Sequence, residues 1–272
     1  MKSYFIPVLA LVLMACKKEA ALTASPVEKF YTLPQGNAPA DKDILDIHGK
    51  FGTYILYRFS QDDYAYNYYN ELKDSAFNAN PAYIDTALGF FRHQLMDQYP
   101  EKFLRKTMPF KVLLAAYIGA GSARSATGFA TTQSMLAIGW ADSTLLQKTP
   151  AELRKIRSQM HRFYWERAYR TESFVLPPAF LATAPDYQKI NVDNRYSEGV
   201  VADGYYSLNL NEGQDFVAYI ELITGKTTAE LEAGLFQPSI DTKGLIRKRY
   251  QIIVDYYKQE FGVDLQAIGQ LP

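Results

Sequence analysis

The sequence predicts an α+β fold, and two observations carry that expectation. Strand-like apolar runs fall in the first half of the 272-residue chain, at Tyr54–Phe59, Lys111–Gly119 and Phe129–Trp140. Helical periodicity dominates the second half, in a long central segment from Pro150 and an amphipathic one at Ile246–Phe261. Strands followed by helices, without regular βαβ alternation, point to a small sheet with helices segregated from it. Hydrophobic residues make up 48% and charged residues 21%, the balance of a chain that can bury a core.

Taken in order, the first element is a leader. Met1-Lys2 is a positive start, and Phe5 to Ala15 is an apolar run too short to span a bilayer. It ends in Leu13-Met14-Ala15-Cys16, which resembles the bacterial lipobox: a leucine and small residues before a cysteine that is lipidated and becomes the new N-terminus. Cys16 is the only cysteine, so an intramolecular disulfide and a thiol nucleophile elsewhere are both excluded. Residues 1–15 are therefore read as a lipoprotein signal peptide, 16–41 as a lipidated tether and 42–272 as one domain. Lys17-Lys18 follow the cysteine, with no aspartate to favour inner-membrane retention, so the expected address is the outer membrane, on either face.

The run from Ile44 to Asp63 begins helix-like and continues into the Tyr54–Phe59 strand. Pro81 to Tyr99 reads as helix, with Ile84, Leu88, Phe91 and Leu95 spaced by threes and fours. Lys111–Gly119 reads as a buried strand, and Phe129–Trp140 as a second one completing a hairpin. The intervening GAGSARSATG lacks the Gly-Lys-Ser/Thr ending of a phosphate loop and reads as a loose hairpin connection. Thr149-Pro150-Ala151-Glu152 has the signature of a helix start, with threonine as N-cap, proline at the first position and glutamate at the third. A Pro- and Asn-rich loop is expected over 176–194. Helices are expected at Phe216–Thr224 and Thr228–Leu235, and from Ile246 to a stop at Gly262.

Charge excludes one function class. Lys plus Arg and Asp plus Glu each number 29, and no basic stripe is present, so nucleic acid is not an expected partner. The 21 tyrosines suit glycan or protein contact but equally fill half-wet cores. No Gly-x-Ser-x-Gly turn supports serine catalysis, and nothing selects a carboxylate pair for glycoside hydrolysis. Of the three histidines, His48 lies near Asp46 and His93 lies four residues before Asp97; each reads as a surface partner more readily than as half a metal site.

The third, His161, sits in QMHRFYWERAYR on the central helix. With the lipobox, the strand pair ahead of that helix, Asn211-Glu212-Gly213-Gln214-Asp215-Phe216 and the C-terminal Phe261-Gly262-Val263-Asp264-Leu265, the chain resembles the Bacteroidetes zinc-binding metallopeptidases, or substrate-import-associated zinc metallohydrolase lipoproteins. The resemblance runs from about Ile44 to Leu271. It implies a zincin-like domain, an outer-membrane lipoprotein, import components as partners, and a His-Glu-x-x-His zinc helix at Pro150–Arg170.

That helix is degenerate here. If His161 takes the first ligand position, Arg162 replaces the general base and Trp165 the second histidine. If the register moves by one, Arg162 takes the first ligand position, Phe163 the base and Glu166 the second ligand. Gln214 stands at the distal acidic position, and Asp215 beside it is retained. A permanent cation beside a would-be ligand repels a dication, and a neutral glutamine ligates zinc poorly. Arg162 and Glu166, four apart, are expected to form a helix ion pair, and His161 on its own reads as a hydrogen-bonded, half-buried histidine more readily than as a ligand. The expectation is therefore a non-catalytic binding accessory in nutrient uptake with no cofactor. Its cleft is lined by His161, Arg162, Trp165, Glu166, Gln214 and Asp215, and takes a peptide, a carboxylate or a stacked sugar. The alternative is an active zinc hydrolase using His161, Glu166 and Asp215.

Overall fold

A computed structural model describes residues 30–66, 74–119, 128–202 and 210–272. The chain divides into two compact units, Met1–Thr32 and Leu33–Pro272. Every element below lies in the second. The leader, Cys16 and most of the GAGSARSATG turn lie outside the described residues.

The second unit begins at Leu33, inside the segment read as tether. Gln35 anchors it: its Oε1 accepts the Tyr57 amide at 2.8 Å and its Nε2 donates to the Arg58 carbonyl at 2.6 Å. The elements then run α1 (Asp41–Phe51), β1 (Tyr54–Leu56), α2 (Gln61–Ala65), β2 (Ser75–Asn78), α3 (Ile84–Gln94), α4 (Glu101–Thr107), β3 (Lys111–Gly119), β4 (Phe129–Thr131) and β5 (Met135–Ile138). The helical half follows: α5 (Pro150–Arg170), α6 (Pro178–Ala182), α7 (Glu212–Gly225), α8 (Thr228–Glu232), α9 (Leu245–Phe261) and α10 (Leu265–Gly269).

The α+β class holds, with a small mixed sheet. Its order is β1-β3-β5-β4, and β2 pairs with the second half of β3. The expected hairpin is placed differently. β3 runs parallel to both β1 and β5, with Lys111 opposite Met135 in the second pairing. The run Phe129–Trp140 is two strands, because Thr132 donates its amide to the Met135 carbonyl and turns the chain so that β4 and β5 pair antiparallel. Trp140 closes the run in the left-handed region at φ 68°, its ring lying where a side chain on Gly128 would stand. Only glycine tolerates that contact.

Other boundaries follow local chemistry. The Pro81–Tyr99 helix breaks at Leu95 (φ −130°, ψ −64°), so its last turn is a separate 3₁₀ segment. The Pro- and Asn-rich loop contains α6, started by Pro178. The start of α5 is as expected: Thr149 Oγ1 accepts from the Glu152 amide, and Glu152 reaches back to the Thr149 amide at 2.8 Å. Gly262, at φ 70°, ends α9.

One apolar core joins the helices to the sheet, and α5 runs through it against α7, β4 and β5. Its buried stripe reads Ile156, Arg157, Met160, His161, Tyr164, Trp165 and Ala168. That stripe decides which α5 residues can belong to a site.

Candidate functional site

The helix period of 3.6 places positions 161 and 165 on one face of α5 and positions 162 and 166 on the next. The structure sends the first pair into the core and the second to the surface seam with α7. His161 and Trp165 have no exposed surface. Trp165 sits among Phe103, Phe174, Phe216 and Tyr257, its centroid 4.7–5.8 Å from theirs. Its indole Nε1 donates to the Tyr99 hydroxyl at 2.7 Å.

That hydroxyl completes a chain ending on His161. The Tyr99 oxygen lies 2.6 Å from His161 Nδ1, and His161 Nε2 lies 2.9 Å from the Gln94 carbonyl oxygen. A carbonyl only accepts, so Nε2 carries the proton and Nδ1 accepts from Tyr99. Both ring nitrogens are thus used, and no lone pair is left for a metal. Burial, opposed by the Gln94 hydrogen bond and aided by the nearby Arg157 charge, lowers the imidazole pKa to about 3.

This neutral histidine has a consequence for acid stability. The unfolded imidazole takes a proton near pH 6.5 while the folded one does not until about pH 3. Its contribution is therefore fully present above pH 6.5 and is lost as pH falls from there toward 3. Between pH 7 and pH 5 the loss is about 2 kcal/mol. A His161→Gln variant, measured by urea unfolding at both values, is expected to show a pH dependence weaker by about that amount. Equal pH slopes in the two proteins would remove His161 as the cause.

Asp215 is also in the core, as half of a buried ion pair with Arg249 of α9 at 2.5 Å, neither side chain exposed. Its Oδ1 accepts the Val201 amide at 3.1 Å and the Ala202 amide at 3.4 Å, and its Oδ2 accepts the Tyr187 hydroxyl at 3.2 Å. Burial pushes the carboxyl up, against the pull of Arg249 and the two amides. Desolvation works to lower the Arg249 guanidinium, and Asp215, Tyr219 and Tyr187 together outweigh it, so the net shift is upward. Arg249 also donates to the Gly199 carbonyl at 2.8 Å and lies 4.0 Å from the Phe180 ring centroid. Asp215 is therefore a structural brace.

The other three residues do meet. Arg162, Glu166 and Gln214 line one cavity of about 350 Å³ on the α5–α7 seam, with Tyr169, Arg170 and Asn211. Arg162 pairs across the seam with Glu221 of α7 at 2.9 Å, and Glu166 lies 3.9 Å from Arg170. The intrahelical Arg162–Glu166 pair expected from spacing is thus replaced, because α7 brings Glu221 nearer. Gln214 Oε1 is buried there without a partner among the described residues, while its backbone N–H donates to Asn211 Oδ1 at 3.0 Å. Of the six expected cleft residues, His161, Trp165 and Asp215 are core. The three-residue set His161, Glu166 and Asp215 is not assembled in one place.

Sequence reasoning missed Arg170 and Glu221. Arg170, two turns beyond Arg162 on the same face, was findable from spacing. Glu221 required knowing that α7 runs beside α5. His93 pairs with Asp97 at 2.9 Å and is exposed, the surface arrangement. His48 packs against Tyr54 with ring centroids 4.3 Å apart and planes tilted by 39°.

A zinc ion does not fit these residues. The cleft presents the Arg162 guanidinium and a neutral amide, and His161 faces away with both nitrogens engaged. Among the described residues, no three His, Cys, Asp or Glu side chains gather as a donor set. What the cleft offers is a cation–carboxylate rim over polar amides, suited to a ligand bearing charged and hydrogen-bonding groups.

The fold itself is shared with a solved metallopeptidase-type structure. Over 85% of its length the chain matches 88% of a "putative zinc-binding metallo-peptidase" from Bacteroides caccae, with a TM-score of 0.57 and 13% sequence identity. At that identity the likeness shows the fold. No family model matches the chain, and no curated protein does.

Proposed function

We propose that this chain is a lipid-anchored binding protein of the outer membrane, built on a zinc-metallopeptidase fold and without zinc catalysis. The observation that carries the non-catalytic part is the split of α5: its histidine is sealed in the core, and the seam position facing α7 holds Arg162, paired with Glu221. The fold likeness to the Bacteroides caccae protein supports the relation to zinc metallohydrolases. The lipobox ending at Cys16 supports the anchor, and no helix of the described residues is long and apolar enough to cross a membrane. A role as accessory to a nutrient importer accords with the resemblance to import-associated lipoproteins. The cleft of Arg162, Glu166, Arg170 and Gln214 is the binding surface in this reading.

The test is metal analysis of the full chain, extracted in detergent and purified without chelator, together with a peptidase assay. The expected result is well under one zinc per chain, and no peptide cleavage when zinc is added. One zinc per chain that disappears in Glu166→Ala, with cleavage lost in parallel, would establish the metallohydrolase instead.

A further inference from the structure

Beside the cleft just described, and sharing Arg162 and Ala218 with it, a larger groove of about 970 Å³ runs between the first half of α5 and the end of α7. Its floor is apolar, from Val201, Ala218, Leu222 and Leu235. Its walls carry four cations, Arg154, Lys155, Arg162 and Lys226, against two carboxylates, Glu221 and Glu230. Both carboxylates are matched by arginines: Glu230 by Arg154 at 3.1 Å and Glu221 by Arg162 at 2.9 Å. Lys155 and Lys226 are exposed, and neither has an ion-pair partner among the described residues. The groove therefore carries a net two positive charges over an apolar floor, with Glu230 shared between Arg154 and the more distant Lys226.

We infer that this groove binds an acidic peptide segment. The charge complement selects an anionic ligand, because the lining carries two more positive than negative charges. The floor selects the class. Leu222, Leu235 and Val201 accept aliphatic side chains, and none of the described residues lining the groove is aromatic. From Pro150 to Arg162 the helix rises about 18 Å, the length of five or six extended residues. Peptide carboxylates spaced along such a segment reach Lys155 and Lys226 while its apolar side chains face the floor. The two helices pack closely at one point of the groove, where a Cβ on Gly225 would stand 2.8 Å from Ser158 Cβ.

This assignment rests on the non-catalytic reading above for its meaning, since a bound peptide is then held and not cut. The experiment separates the two. Fluorescence anisotropy of the full chain in detergent is measured with labelled eight-residue peptides of alternating Glu and Leu, alternating Lys and Leu, and alternating Ser and Leu, and with labelled oligogalacturonate. The Glu-Leu peptide is expected to bind at least tenfold more tightly than the other two peptides and than the oligogalacturonate. Its affinity should fall as salt rises from 50 to 300 mM. Lys155→Glu with Lys226→Glu should reduce it at least tenfold, while Lys42→Glu with Lys102→Glu, away from the groove, should not. Equal binding of the three peptides, no loss on charge reversal, or a preference for the oligogalacturonate would overturn the assignment. Metal content and peptide cleavage decide the non-catalytic reading separately, because neither lysine touches Glu166 or Gln214.

Discussion

Asp215→Ala is expected to destabilise the protein by about 3–5 kcal/mol, the cost of leaving a buried charge without its partner. Arg249 would remain with no exposed side-chain surface, keeping among the described residues the Gly199 carbonyl, the Tyr187 hydroxyl and the ring faces of Phe180 and Tyr219. The amides of Val201 and Ala202 would also lose their acceptor. The larger part of the cost is the orphaned guanidinium, so the double variant Asp215→Leu with Arg249→Met should recover much of the loss. Urea unfolding of the two single variants and the double one gives the coupling directly. A loss below about 1 kcal/mol for Asp215→Ala would mean that this carboxylate is solvated and free to act in a cleft.

Trp165→Ala is the second large effect, at about 3–5 kcal/mol. Removing the indole opens a void among Phe103, Phe174, Phe216 and Tyr257 and takes away the donor to the Tyr99 hydroxyl. The four buried rings around that void do not collapse into it, since Phe174, Phe216 and Tyr257 pack on one another and Phe103 packs on Tyr99 and Phe261. The melting temperature should fall by roughly 6–20 °C for a chain of this size. Ligand binding in the Arg162–Gln214 cleft should survive at temperatures where the variant is folded. A tryptophan that stacked on a bound sugar would behave in the opposite way, with little loss of stability and a large loss of binding.

These two residues show where sequence reading reaches its limit. Local chemistry was legible: the Thr149–Glu152 cap, the β3 run and the Gly262 stop each need only a few neighbouring residues to determine them. Strand direction was not, because the apolar runs of β3 and β5 are equally compatible with parallel and antiparallel pairing. Only the fold-back at Thr132 decides between them. The strand β2 was invisible since one residue of its four is buried, leaving no alternation to read. On α5 the signal was present and underused. Met160, Tyr164, Trp165 and Ala168 form the apolar stripe, and His161 lies within it, so the histidine belongs to the core face. The seam face beginning at Arg162 follows by one residue's rotation. What spacing alone could not supply was the partner across the seam, Glu221.

His161 is a neutral core residue whose two nitrogens are already used. ¹⁵N NMR of the imidazole, recorded between pH 5 and pH 8 with and without one equivalent of zinc, reads both nitrogens at once. The structure predicts one protonated nitrogen, Nε2, and one unprotonated acceptor, Nδ1, unchanged across that range and unmoved by zinc. Titration near pH 6.5, or a zinc-induced shift of either nitrogen, would contradict it.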